Sequence, residues 1–241
     1  MGIHQIDLRL DRDEYSILRA IVRVLLVRRW SDSISSVIRV FCLCTLHVLT
    51  TRGKLEAQIR NLVVEHLDWD GEGKALDIGC GNAPLAIQLA KRYPSAHVTG
   101  IDFWGGMWEY SKAVCERNAE IEGVAGRMNF QKASAATLPF EDESFDAAVS
   151  NLVFHEVGDV KDKRELIKEA LRVVKRGGAF AFQDLFLLKR HFGKVDDLVA
   201  MNKSWGIKEV AFADTSDSEF IPKALRLPFM VGRIGIIYGK K

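Results

Sequence analysis

The stretch "KALDIGCGNAPLAIQLAKRYPSAHVTGID", residues 74–102, constrains the fold more than any other part of the chain. It runs from a short apolar strand pattern through a glycine-bearing turn into an apolar helical face, then closes on a second apolar strand capped by an acid. Strand, turn, helix and strand in so short a span read as a βαβ unit, which makes the two strands parallel. The pattern continues downstream. The strand-like runs "MNFQKA", "FDAAVSN" and "AFAFQDL" alternate with the helix-like runs "MWEYSKAVCERNAEIEG" and "KDKRELIKEALRVVKRGG". The second of these helices is expected to end on its basic residues and Gly177–Gly178. Beyond it, "LLKRHFGKVDDLVAMNKSWG" predicts one more helix, and "IKEVAFADT" with "GRIGIIYGKK" predicts a closing, hairpin-like pair of edge strands. The expected class is α/β, a Rossmann-like, doubly wound and mostly parallel sheet of seven strands with helices on both faces. It would span residues 54–241 and follow an N-terminal helical extension over 1–53.

Composition narrows the partners. At 241 residues and 48% hydrophobic, the chain can bury one large α/β core with an appendage. A formal net charge of +2 argues against a nucleic-acid partner, which needs a concentrated basic face. Cys42, Cys44, Cys80 and Cys115 show neither C-x-x-C pairing nor framework spacing, so reduced thiols in the cytoplasm and no metal site are expected. The first fifteen residues carry charges of both signs and lack the pattern of a secretory signal. Residues 15–30 and 33–51 are apolar but interrupted by Arg19, Arg23, Arg28, Arg29 and Arg39, too often for a membrane span. They read as amphipathic helices, packed on the domain or lying at an anionic membrane surface, and the apolar arm also offers a homodimer contact.

The turn after the first strand indicates a ligand. Gly79 and Gly81 leave bare backbone where a helix N-terminus can meet a bound group. A dinucleotide would call for G-x-G-x-x-G, yet Pro84 stands in place of the third glycine and removes an amide that a phosphate would use. Asp77, two residues before Gly79, suits an ammonium group instead, and Asp102 at the end of the next strand suits two ribose hydroxyls. An adenosyl ribose joined to an amino acid describes S-adenosylmethionine.

Four segments in order, "ALDIGCGNAPLAIQLA", "VTGIDFW", "LPFEDESFDAAVSNLVFHEV" and "EALRVVKRGGAFAFQD", resemble the class I S-adenosylmethionine-dependent methyltransferases, of the small-molecule type related to quinone-biosynthesis enzymes. The resemblance covers roughly residues 70–190. It implies that Asp77, Gly79 and Gly81, with the intervening Cys80, hold the methionine part of the cofactor. It further implies that Asp102 binds the ribose and that Phe103 packs on the adenine. Beside them, Trp104 and Trp108 flank Gly105–Gly106, which free the loop, so this segment either lines or gates the pocket or packs the following helix. Ser134 stands where the family has an adenine-binding Asp, with the Ala135 backbone beside it, and Asn151 matches a position facing the amino group and the sulfonium.

The activated methyl of a sulfonium moves by in-line displacement, so the protein mainly aligns the acceptor and excludes water. An alcohol, phenol or acidic carbon also needs a base. His155 is the first candidate, with Glu156, Gln183 and Asp184 behind it, because ligands in open parallel sheets bind beyond the carboxyl ends of the strands. The sequence "SNLV" at 150–153 lacks the N-P-P-F/Y turn that a protein- or RNA-methylating role would want, which leaves a small acceptor, and the N-terminal helices, read as a roof over the site, suggest by their apolar faces a hydrophobic one. A non-catalytic cofactor-binding regulator and a pyridine-nucleotide oxidoreductase remain as the alternatives.

Overall fold

The computed structural model describes residues 53–105, 111–226 and 231–241. Its strands are β1 (Gly73–Ile78), β2 (Ala96–Asp102), β3 (Met128–Lys132), β4 (Phe145–Asn151), β5 (Val174–Asp184), β6 (Glu209–Asp214) and β7 (Gly235–Lys240). The longer helices are α1 (residues 53–65), α2 (Pro84–Arg92), α3 (Lys112–Ile121), α4 (Arg164–Arg172) and α5 (Val195–Ser204). The strands form one seven-stranded sheet in the order β3-β2-β1-β4-β5-β7-β6. β1 to β5 run parallel, while β7 pairs antiparallel with both β5 and β6. The expected α/β class and strand number stand. The extension over 1–53 falls almost entirely outside the described residues, as do Gly106 and Trp108.

Helices cover both faces, as parallel strands with apolar runs on either side require. On one face Ala75, Val98, Val149 and Ala181 pack with Leu85 and Leu89 of α2, Cys115 of α3, and Val63 and Val64 of α1. On the other, Leu76, Ile101, Phe180 and Phe182 pack with Leu166 and Ile167 of α4 and Leu198 of α5. Pro84 opens α2, where its fixed φ suits the first turn and its missing N–H is not needed. Strand order reverses at β1, whose neighbours are β2 and β4, and such a reversal opens a crevice at the carboxyl edge of the sheet.

Three expectations are corrected. α4 stops at Arg172, and Gly177–Gly178 lie within β5 rather than at a helix end. Phe145 pairs with Val174 but Ala147 pairs with Ala179, so the chain between them bulges. Gly177 takes a left-handed φ of 79° in that bulge, and the glycines serve the strand irregularity instead of a helix cap. The run from 187 to 206 is broken at Gly193 into a one-turn helix, Lys189–Phe192, and α5. The closing strands pair, but β7 lies inside the sheet between β5 and β6, and residues 215–234 join them in place of a tight hairpin. Helix α1 is not among the expected elements; its apolar Val63 and Val64 join the core ahead of the loop that leads into β1.

Candidate active site

Among the described residues, those singled out from the sequence converge on the carboxyl ends of β1, β2, β4 and β5, apart from Ser134 and Ala135, which lie in the loop after β3. The turn after β1 is stitched to β2: the N–H groups of Gly79 and Cys80 both donate to the Ile101 carbonyl, at 2.8 and 2.9 Å. A Cβ on Gly79 would stand 2.2 Å from Val153 Cγ2, and its φ is +73°, so only glycine lets this turn approach the segment after β4. Cys80 contributes backbone alone at the turn. Its buried thiol meets Cys115, and that contact together with burial pushes it above the usual thiol range.

Asp102 ties the turn to the second strand. Its Oδ2 accepts from the Gly81 N–H and its Oδ1 from the Trp104 N–H, each at 2.9 Å. Carboxylate oxygens have lone pairs left after one bond each, so both can still accept from hydroxyls. Trp104 folds back, its indole N–H donating to the Gly81 carbonyl at 2.9 Å while the ring packs on the α2 face of the sheet. Phe103 points outward, 63% exposed, with Lys132 Nζ 5.2 Å from its ring centre. In the loop after β3, Ser134 Oγ accepts from the Ala136 N–H at 3.1 Å, beside Ala135.

Asp77 is buried at the end of β1. Burial pushes its carboxyl up to about 7; the charge of Asp102 adds to the rise, and the Ala86 N–H and the Arg60 charge oppose it. The bond from Ala86 serves the first turn of α2, and Oδ2 is left with no protein partner. Asn151 Oδ1 and Gln183 Oε1 are in the same condition. Asp77 pairs in register with Val149, and Asn151 with Gln183, so the three side chains share one face of β1, β4 and β5. A row of buried oxygens without donors beside a glycine turn fits a ligand that brings positive charge and N–H donors. Asn151 Oδ1 caps no backbone group. Leu152, directly after it, has a left-handed φ of 59°, strain of the kind that collects at functional turns.

On the opposite face His155 meets Asp184. His155 Nδ1 and Asp184 Oδ1 are 2.7 Å apart, and the His155 N–H donates to Oδ2 at 3.3 Å. Asp184 is fully buried and also accepts from the Leu185 N–H at 2.6 Å. Burial pushes the imidazole down, but the hydrogen bond and charge of Asp184, with Glu156 added, carry it above the usual 6.5. Glu156 is the outer member, Oε1 lying 3.8 Å from His155 Nε2. The sequence named all three residues but not their pairing, because His155 and Asp184 meet only once β4 and β5 lie side by side.

Residues 76–182 match the family described as a methyltransferase domain. The O-methyltransferase rstn1 of Aspergillus nomiae is 31% identical over 164 residues, 60% of this chain and 68% of that protein. The chain belongs to the class I S-adenosylmethionine-dependent methyltransferases. A ubiquinone/menaquinone biosynthesis C-methyltransferase, UbiE, of Geotalea daltonii is 32% identical over 137 residues, 55% of each chain. The chain spans about half the length of several curated relatives it matches. Among solved structures, the geranyl diphosphate C-methyltransferase of Streptomyces coelicolor aligns with a TM-score of 0.58 at 14% identity, over 80% of this chain and 83% of that one. The [4+2]-cyclase SpnF aligns with a TM-score of 0.55 at 20% identity, over 76% and 80%. These two likenesses are of fold, and the second belongs to a cyclase, so the reaction has to be argued from the site.

Proposed function

We propose that this chain transfers a methyl group from S-adenosylmethionine to a small, hydrophobic acceptor, with His155 as general base. The observation that carries the reading is the junction at β1 and β2: a glycine turn held against Asp102, with the unpartnered Asp77 Oδ2 on the adjoining strand. Asp77 and Asn151 would take the amino group, the backbone of Gly79, Cys80 and Gly81 the methionine part, and Asp102 the ribose hydroxyls. Phe103 and the Ser134–Ala135 loop would flank the adenine, and Trp104 braces the turn beneath it. When bound, the cofactor supplies a methyl on trivalent sulfur, already activated for displacement. The protein then has to align the acceptor, shut out water and remove a proton where the acceptor atom is oxygen or carbon. The names of the two curated relatives carry those two acceptor atoms, one being an O- and the other a C-methyltransferase. His155 suits the proton step: Asp184 fixes Nδ1, which leaves Nε2 to accept.

Neutral, lipid-soluble phenols and quinols are the acceptor class put forward. The experiment is calorimetry with S-adenosylhomocysteine and NAD side by side, followed by a screen of phenols, quinols and thiols read by S-adenosylhomocysteine release. Binding of the first nucleoside without the second, and turnover with a phenol or quinol, support the reading. Binding of NAD alone, or cofactor binding with no acceptor turned over, replaces it with the oxidoreductase or the regulator. No helix among the described residues is long and apolar enough to cross a membrane. A cytoplasmic enzyme is proposed, with residues 15–51 against the domain or at a membrane surface; recovery wholly in the soluble fraction of a liposome flotation removes the membrane placement.

A further inference from the structure

The sheet ends on two edge strands, β3 and β6, and they meet their surroundings differently. β3 reads "MNFQK", with Asn129 and Lys132 exposed, the polar and charged finish that discourages an edge from pairing. β6 reads "EVAFAD": Val210 to Ala213 are all apolar, no proline interrupts them, and the register with β7 runs without a bulge. Among the described residues no backbone hydrogen bond leaves its outer side. Val210 and Phe212 are only half-buried on the face that α5 covers. A groove there is lined by Val195, Asp196, Val199, Ala200, Lys203 and Phe212. Charge stands at the two ends, with exposed Lys208 just before the strand and exposed Asp214 at its close. Neither belongs to an ion pair among the described residues.

We propose that β6 is an interface between two copies of this chain, paired antiparallel about Ala211 so that their two sheets join into one. The sequence of β6 is complementary to itself in that register. A two-fold axis through Ala211 sets Lys208 opposite the partner's Asp214 and Val210 opposite the partner's Phe212, each pairing occurring twice. Other registers lose the match. Residues of one face meet only when the axis passes through a residue, and an axis at Phe212 sets Val210 against the partner's Asp214, while one at Val210 sets Lys208 against the partner's Phe212. A stable interface buries roughly 1,200 Å² or more, beyond what six paired residues supply, so the apolar lining of the groove beside α5 has to be covered as well. The contact shares no residue with the site described above, and it is separate from the homodimer contact that the sequence suggests for the N-terminal arm.

The test is sedimentation equilibrium of the full chain and of charge variants at the two ends of the strand. The wild type is expected to be dimeric at about 100 μM. Lys208→Asp and Asp214→Lys, each alone, set like charges opposite one another at both ends and should weaken the dimer at least about tenfold. The double variant exchanges the two charges, restores both pairs and should recover the parental constant within about threefold. Mixing the two single variants should give a mixed dimer tighter than either forms alone, because each presents the charge that the other lacks, a result that damage to the fold cannot produce. A wild type that stays monomeric overturns the inference. So does a dimer that the single variants leave unchanged, which puts the contact elsewhere, the N-terminal arm included. Weakened single variants with recovery neither in the double variant nor on mixing overturn the register and the inference with it. If Asp214→Lys fails to fold for want of the bonds that Asp214 accepts from Ser216, Lys208→Asp decides alone, an unweakened dimer counting against the edge.

Discussion

At the residue scale the chemistry rests on how two carboxylates of the site are treated. Asp184 is buried yet fully engaged by His155 and the Leu185 N–H, whereas Asp77 keeps one oxygen bare. An imidazole accepts a proton only when neutral, so a value raised above 6.5 puts the rising limb of kcat/KM above that pH. Asp184→Asn removes the hydrogen bond and the charge that raise it while burial remains, and the limb should move below 6.5 as the rate falls. His155→Gln should lower turnover about a hundredfold or more with S-adenosylhomocysteine affinity intact. A pH–rate profile of the three proteins with one active phenol checks this; a limb that stays put in Asp184→Asn removes His155 as base. The same pairing favours the protonated imidazole in the fold, so it stabilises fully below pH 6.5 and fades as pH climbs through the raised value. Asp77 and Asp102 were legible in the sequence because each is fixed by its distance from a glycine or a strand end. The His155–Asp184 pair was not, since the partners lie on different strands and only the register of β4 with β5 brings them together.

At the element scale the loop behind the proposed adenine site is held by one side chain of α4. Arg172 donates to Glu169 and Asp142 and to the carbonyls of Leu138 and Phe140, while Glu169 accepts from the Leu138 N–H. Its hydrogen bonds to Glu169 and Asp142 raise the guanidinium further, and the Arg172 fork holds the Glu169 carboxyl below its usual range. Removing the fork leaves the Leu138 and Phe140 carbonyls without that donor and Glu169 with the Leu138 N–H alone. Arg172→Met should therefore destabilise by about 2 kcal/mol, the low end for such a network because the guanidinium is 30% exposed. S-adenosylhomocysteine affinity should fall several-fold as residues 138–142, which follow the Ser134–Ala135 loop, lose their anchor. Arg172→Lys should restore little, because an ammonium cannot reproduce the planar fork. Thermal melts with calorimetry decide, and an Arg172→Met protein with parental melting and affinity would show the clamp to be idle. Nothing in the local pattern of "EALRVVKRGG" announced this clamp, nor that the helix stops at Arg172. Basic residues followed by two glycines make an equally good helix end, and only pairing of Val174 with Phe145 draws the chain into β5.

At the scale of the whole molecule, the order of elements was legible because apolar runs must alternate with helices wherever a parallel sheet is covered on both faces. The position of β7 was not, since two consecutive strands predict a neighbour pair without saying which of them meets β5. Cofactor binding should report on the whole unit, because a ligand that binds only the folded chain raises its stability by RT ln(1 + [L]/Kd), about 2.7 kcal/mol at a hundredfold excess over Kd. For a unit the size of Arg60–Lys241 that corresponds to a rise in Tm of roughly 5–10 °C. The gain should depend on pH. The Asp77 carboxyl titrates at about 7 and must be ionised to meet an ammonium, so binding below that pH has first to remove its proton. In the free protein the sign is opposite: a raised carboxyl stabilises the fold at low pH, and that contribution is lost as pH climbs from 3.8 through about 7. Millimolar S-adenosylhomocysteine should therefore raise Tm more at pH 8 than at pH 5.5, with NAD raising it at neither. Asp77→Asn cannot ionise, so it should bind more weakly and show the same small gain at both. Equal gains for the parent at pH 5.5 and 8 would mean that the ammonium does not lie against Asp77, and the bare Oδ2 would then need another partner.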